Sequence, residues 1–121
     1  MNTSWYICNY TEEHKKACVV LHGLSFKLPH TGRELYSWAE TLSNCLFSYA
    51  KRVASADTVI YGVFENHQLL FAVELSKEGI AQATRSHNRM LLAQEKSILS
   101  LWFEQFFEPK EKTNTLEFEN K

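Results

Sequence analysis

The sequence predicts an α+β fold: a small antiparallel sheet with a long central helix and a C-terminal helix packed mainly on one face. Three observations carry this. Between Thr58 and Thr84, three runs of β-branched and aromatic residues are separated by short polar turns. Two stretches, opening near Gly32 and Leu91, repeat apolar residues every three or four positions, the period of an amphipathic helix. A length of 121 residues suits one compact core and is too short for two independent ones.

Residues Trp5 to Tyr10 mix aromatics with Ile7 and Cys8, a composition that favours a strand. Thr11 then serves as a turn or N-cap, and Glu12, Glu13 and His14 open a short helix through Cys18, with both acids near its positive end. Val19 and Val20 suit an extended exit. Leu24-Ser25-Phe26-Lys27-Leu28 alternates apolar and polar before Pro29, as a half-buried strand stopped by proline does. Thr31 and Glu34 stand at capping-box spacing, so a helix begins at Gly32.

From there Leu35, Trp38, Ala39, Leu42, Cys45, Leu46, Tyr49 and Val53 fall on one stripe, which is core. Leu42-Ser43-Asn44 allows a break, because Ser and Asn compete for backbone hydrogen bonds. One long helix and two helices meeting near Cys45 both fit. After the polar connection Ala54 to Asp57, strands are expected at Thr58–Phe64, Leu69–Leu75 and Ile80–Thr84, joined by turns at Glu65–Gln68 and Ser76–Gly79. This three-stranded meander joins one or two N-terminal strands. In Leu91 to Phe107, Leu91, Ile98, Leu101, Trp102 and Phe106 mark the packed side, with Gln94, Glu95, Lys96 and Glu104 largely off it. Residues 1–107 are expected to form a single domain, and 108–121 a flexible charged tail begun by Pro109.

Composition narrows the function. The formal charge is −1, and the ten basic side chains before Glu108 are matched by ten acidic ones, so no whole-molecule field attracts phosphate backbones. Local basic patches remain at Lys51-Arg52 and at Arg85 with Arg89; solvated surface clusters look the same. Cys8, Cys18 and Cys45 make neither a CxxC pair nor an even disulfide framework, which fits a reducing, cytoplasmic setting. The histidines at 14, 22, 30, 67 and 87 contain no i,i+4 pair, so no metal or other cofactor is expected. The N-terminus lacks a secretory pattern, and no apolar run approaches the roughly 18 residues that span a bilayer.

Phe26-Lys27-Leu28-Pro29-His30-Thr31-Gly32-Arg33-Glu34-Leu35, then Leu42-Ser43-Asn44-Cys45-Leu46-Phe47-Ser48-Tyr49, the strand runs, and Gln82 with Asn88-Arg89 together resemble the PcfJ-like family. That family is carried by conjugative plasmids, phages and related mobile elements, and the resemblance spans residues 22 to 107. It implies a fold and mobile-element biology rather than a reaction. Asn44 stands where the family's His would precede Cys45.

That departure bears on Cys45, since a thiolate nucleophile needs a base or positive field beside it. Packing on the helix stripe is the better explanation of Cys45. Arg85, His87, Asn88 and Arg89 cluster between a strand and a helix, where their donors can converge on an anion, with Gln82 joining from the strand. The alternative is a polar connection in which Asn88 caps the next helix and the arginines pair with Glu74 or Asp57. Phe103 and Phe107, off the main stripe, suit either a protein interface or the core.

These features describe an interaction protein that binds a host protein or ribonucleoprotein, with counter-defence of the anti-CRISPR type as its setting. A nucleic-acid-binding accessory factor, with Arg85, His87, Asn88, Arg89, Lys51 and Arg52 on phosphates, is the second reading. A Cys45-dependent enzyme is the third.

Overall fold

The computed structural model describes residues 6–7, 10–43 and 58–107. The expectations placed on Cys45, Lys51, Arg52 and the tail 108–121 lie outside the described residues. In chain order the elements are α1 (Glu12–Lys16), β1 (Val20–Leu21), β2 (Leu24–Lys27), α2 (Gly32–Leu42), β3 (Val59–Glu65), β4 (Gln68–Ser76), β5 (Gly79–Arg85) and α3 (Ala93–Phe106). The strands pair in sequence order as one antiparallel five-stranded sheet. This is the predicted meander with two N-terminal strands added.

Tight turns explain why strands follow one another so closely. Asn66 and His67, at φ 52 and φ 68, occupy the two central positions of the β3–β4 hairpin, where both residues must be left-handed. His22 and Gly23 do the same between β1 and β2, at φ 51 and φ 84.

The helices lie on opposite faces of the sheet, which corrects the expectation that they share one. Strand alternation is the reason. Val59, Tyr61 and Val63 point into a core with Phe26, Phe71, Val73, Ile98, Leu99 and Trp102. The intervening Ile60 joins Ala72 against Leu35, Trp38, Ala39 and Leu42 of α2. β3 is buried on both faces and therefore needs a covering layer on each. A bulge keeps the two faces consistent: Val63 pairs with Phe71 but Phe64 pairs with Leu69, leaving Leu70 as the extra residue of β4.

The α2 layer rests on a small residue. Gly62 lies under the Trp38 ring, and a Cβ added there would sit 2.9 Å from two ring carbons and 3.0 Å from Phe64. The helix starts as predicted, with the Thr31 hydroxyl accepting from the Glu34 N–H at 3.1 Å. Its carboxylate reaches back to the His30 N–H at 2.7 Å, one residue beyond the expected cap. α2 ends at Leu42, where Ser43 turns left-handed at φ 50, ψ 51. The helix thus ends within the stretch where the sequence allows a break, and the rest of the stripe, from Cys45 to Val53, lies outside the described residues.

On the other face, Trp102 stacks on Phe26 at 4.5 Å between centroids and meets Tyr61 edge-on at 4.8 Å. Its indole N–H donates to the Ala17 carbonyl at 2.8 Å. α3 buries Glu95, Ile98, Leu99 and Trp102, so two expectations change. Leu101 is 48 % exposed, because the buried stripe runs through Leu99 rather than past it. Glu95, placed off the stripe from its charge, is buried.

The segment from Tyr6 to Ala17 binds this core through its backbone. Tyr6 makes an isolated bridge to Thr31, the described part of the strand expected near Trp5. Tyr61, fully buried, donates its hydroxyl to the His14 carbonyl at 2.8 Å. Desolvation pushes its phenol well above the ordinary range, which keeps it a donor. At the start of α1, the Thr11 N–H donates to His14 Nδ1 at 3.1 Å and the His14 N–H to Thr11 Oγ1 at 3.2 Å. The first of these bonds requires Nδ1 unprotonated.

Two outcomes follow from this packing. Gly62→Ala is expected to destabilise the protein by about 1–3 kcal/mol through overpacking against Trp38, read as a lower urea midpoint at unchanged slope. His14 has its pKa lowered from 6.5 by burial, with Glu13 opposing. Its contribution to stability is complete above that ordinary value and is lost as pH falls through it toward the lower folded value. Denaturation measured against pH should show that loss, and His14→Gln, which retains an acceptor without titrating, should flatten it.

Candidate functional site

Seven residues separate β5 from α3, and they form the most distinctive surface feature among the described residues. Ser86 to Asn88 make a 3-10 turn interrupted by left-handed backbone, with His87 at φ 60 and Asn88 at φ 61. Consecutive non-glycine residues in that region carry strain that surrounding bonds must hold. Here the Arg85 N–H donates to the Arg89 carbonyl at 2.8 Å, and the Arg89 N–H returns to the Ser86 carbonyl at 3.3 Å. Ser86 Oγ and His87 Nδ1 lie 2.9 Å apart. The turn sits beside α2 at the sheet edge, so the loop spans from one helical layer to the other.

The two arginines take separate partners. Arg89 folds back, its Nε donating to the Ser86 carbonyl at 3.1 Å. Arg85 turns under α3, with Nε 3.3 Å from Glu95 Oε1. That contact is a charge pair without hydrogen-bond alignment, since Arg85 Nε is buried and otherwise unbonded. Glu95 Oε1 also accepts the Leu92 N–H at 2.8 Å. One buried carboxylate thus balances Arg85 and satisfies the first turn of α3. Leu92 holds the N-cap position, and the cap expected of Asn88 is supplied by Glu95 instead. Arg85 points to the α3 face and takes Glu95 rather than Glu74 as its partner; Asp57, the other expected partner, lies outside the described residues.

Gln82 stands opposite Glu74 in register, on the α2 side, and does not join Arg85. His87, Asn88 and Arg89 are exposed together. Beside them Met90 is 74 % and Leu92 53 % exposed, two large apolar side chains that the sequence reading passed over. Their signal was slight: both lie outside any periodic stripe. Phe103 and Phe107 are half-buried at the other end of α3, stacked on each other at 5.9 Å, with Phe107 edge-on to Trp102 at 5.2 Å. They extend the core's flank.

A second feature is a cleft of about 620 Å³ lined by Ile7, Tyr10, Lys15, Cys18, Lys27 and Leu28. Tyr10 closes one wall by donating its hydroxyl to the Pro29 carbonyl at 2.6 Å. Lys27 lies over the Phe64 ring at 5.0 Å, and Lys15 pairs with Glu12 at 3.8 Å. Burial pushes the Cys18 thiol up, against a lowering hydrogen bond from the Leu28 backbone. The sulfur is therefore held as thiol rather than activated as thiolate. Among the described residues, no group of three His, Cys, Asp or Glu side chains is placed to hold a metal ion, and no helix is long and apolar enough to cross a membrane.

The family model for PcfJ-like proteins matches residues 6–99. The chain belongs to the PcfJ-like family. No curated protein and no solved structure shows significant similarity to it. The match begins earlier than the expected span of residues 22 to 107 and ends before it, and the fold of this PcfJ-like protein gives a reason for the earlier start: buried Tyr61 binds the backbone of His14. It also takes in all five strands and the loop from Arg85 to Leu92, and it stops before Phe103 and Phe107.

Replacing Glu95 tests how the loop is held. Glu95→Ala should cost about 2–4 kcal/mol, because it strands a largely buried guanidinium and removes the cap on Leu92. Urea denaturation of Glu95→Ala, Arg85→Met and the double variant measures the coupling, and the double variant should recover part of the loss.

Proposed function

We propose that this PcfJ-like protein is a non-enzymatic interaction protein of a mobile element, binding a host protein or ribonucleoprotein through the protein component. The biological form we assign to it is counter-defence inhibition of the anti-CRISPR type. One observation carries the reading: a loop preorganised by its own hydrogen bonds presents Met90 and Leu92 to solvent beside Arg89, while Arg85 is neutralised from within. Met and Arg are enriched at protein interfaces, and exposed apolar side chains gain from burial against a partner. A preformed loop lowers the ordering cost of binding.

The nucleic-acid reading draws less support from the same geometry. Phosphate contacts need cations directed outward, and Arg85 is directed inward. An enzymatic reading lacks an activated nucleophile in the described residues, Cys18 being held as a thiol.

Affinity capture from bacterial lysate, with and without nuclease, tests the proposal. The wild-type chain should retain a stoichiometric protein partner after nuclease treatment, and Met90→Asp with Leu92→Asp should lose it while circular dichroism is unchanged. Retention that depends on nucleic acid, with gel shifts at low salt weakened by added salt, would replace the proposal with the nucleic-acid reading.

A further inference from the structure

Next to the loop, a cleft of about 260 Å³ opens between α3 and the two hairpin turns at that end of the sheet. Leu24, Leu70 and Ile98 form apolar walls, Leu92 stands at the mouth, and His22 and Glu65 contribute from the turns. Leu70 is the extra residue of the β4 bulge. Bulges of this kind re-aim side chains beside sites, and this one adds a half-buried leucine to the cleft.

We propose that this cleft is the anchor pocket of the interface, and that it receives an arginine side chain of the protein partner. The inference rests on the interface reading given above. Volume and charge select the occupant. A cleft of this size holds one long side chain rather than a cofactor, for which pockets run from about 300 to 1,000 Å³. Leucine and isoleucine walls suit the aliphatic stem of such a side chain.

Glu65, the last residue of β3, is exposed and makes no side-chain hydrogen bond or ion pair among the described residues. Its carboxylate meets a guanidinium head at the rim, where a two-pronged contact is available. Glu95 also borders the cleft, but its charge is already balanced by Arg85. Glu65 therefore supplies the attraction. Arginines seated in pockets are frequent anchors of protein interfaces, and Leu92 at the mouth helps to exclude water from the contact.

The test uses the whole ¹⁵N-labelled chain titrated with N-acetyl-arginine amide, followed by amide chemical shifts. Saturable shifts are expected at Glu65, Leu70, Leu92 and Ile98, with a Kd on the order of 1 mM for so small a ligand. N-acetyl-citrulline amide, of the same shape without charge, should bind at least about fivefold more weakly, a modest loss for one partly exposed ion pair. Glu65→Gln should weaken the arginine probe by a similar factor while leaving the remaining spectrum in place.

Shifts located elsewhere, equal binding of citrulline, or an unchanged Kd in Glu65→Gln would each overturn the assignment. The interface reading fails separately. If Met90→Asp with Leu92→Asp abolishes capture of the partner while the arginine probe leaves the cleft untouched, the interface stands and the pocket assignment falls. Binding of the probe at the cleft, with weakened capture in Glu65→Gln, supports both.

Discussion

Trp102 fastens three parts of the chain at once. Its ring lies flat on Phe26 of β2 and edge-on to Tyr61 of β3, and its N–H holds the carbonyl of Ala17, which lies 85 positions away. Burial of so large a ring supplies apolar free energy, while the indole N–H fixes where the N-terminal segment docks. With α3 held there, Glu95 reaches both Arg85 of β5 and the Leu92 N–H, which ties the two ends of the loop between β5 and α3 together.

The opposite face solves the same problem with a different contact. Trp38 is accommodated by the absence of a side chain at Gly62 rather than by a polar anchor. Together the two tryptophans account for the three-layer architecture, since β3 offers each of them one side of its alternating residues. The three-stranded meander with its turns, the strand before Pro29 and the starts of the central and C-terminal helices were legible because they follow local rules: alternation, helical period and turn chemistry; the short β1 and its hairpin at His22-Gly23 were not. Layering was not, because the alternation of Thr58 to Phe64 has apolar residues at nearly every position, and such a strand does not show from sequence how its two faces are shared.

The candidate site was legible in location and not in geometry. Arg85, His87, Asn88 and Arg89 stand out as a polar cluster between strand and helix, yet the side chain that organises them is Glu95. Read by charge alone, Glu95 belongs on the solvent side of α3. Its burial becomes comprehensible only when Arg85 arrives from β5 and the Leu92 N–H needs an acceptor, both of which depend on tertiary placement. Met90 and Leu92 went unmarked for the converse reason: an apolar residue outside a periodic stripe carries no sign of its exposure. Membership in the PcfJ-like family agrees with this division, since it accounts for the framework and leaves the reaction or partner to be argued from the surface.

Covering a sheet with a helix on each side has a consequence for how such a protein can diversify. The central strands are covered on both faces, so among the described residues the exposed framework consists largely of the hairpin turns, the outer strand β5 and the β5–α3 junction. The exposed residues of those segments can change without disturbing Trp38 or Trp102, whereas Leu91 of the junction belongs to the Trp102 core. That surface can therefore be altered residue by residue, with the scaffold beneath left as it is.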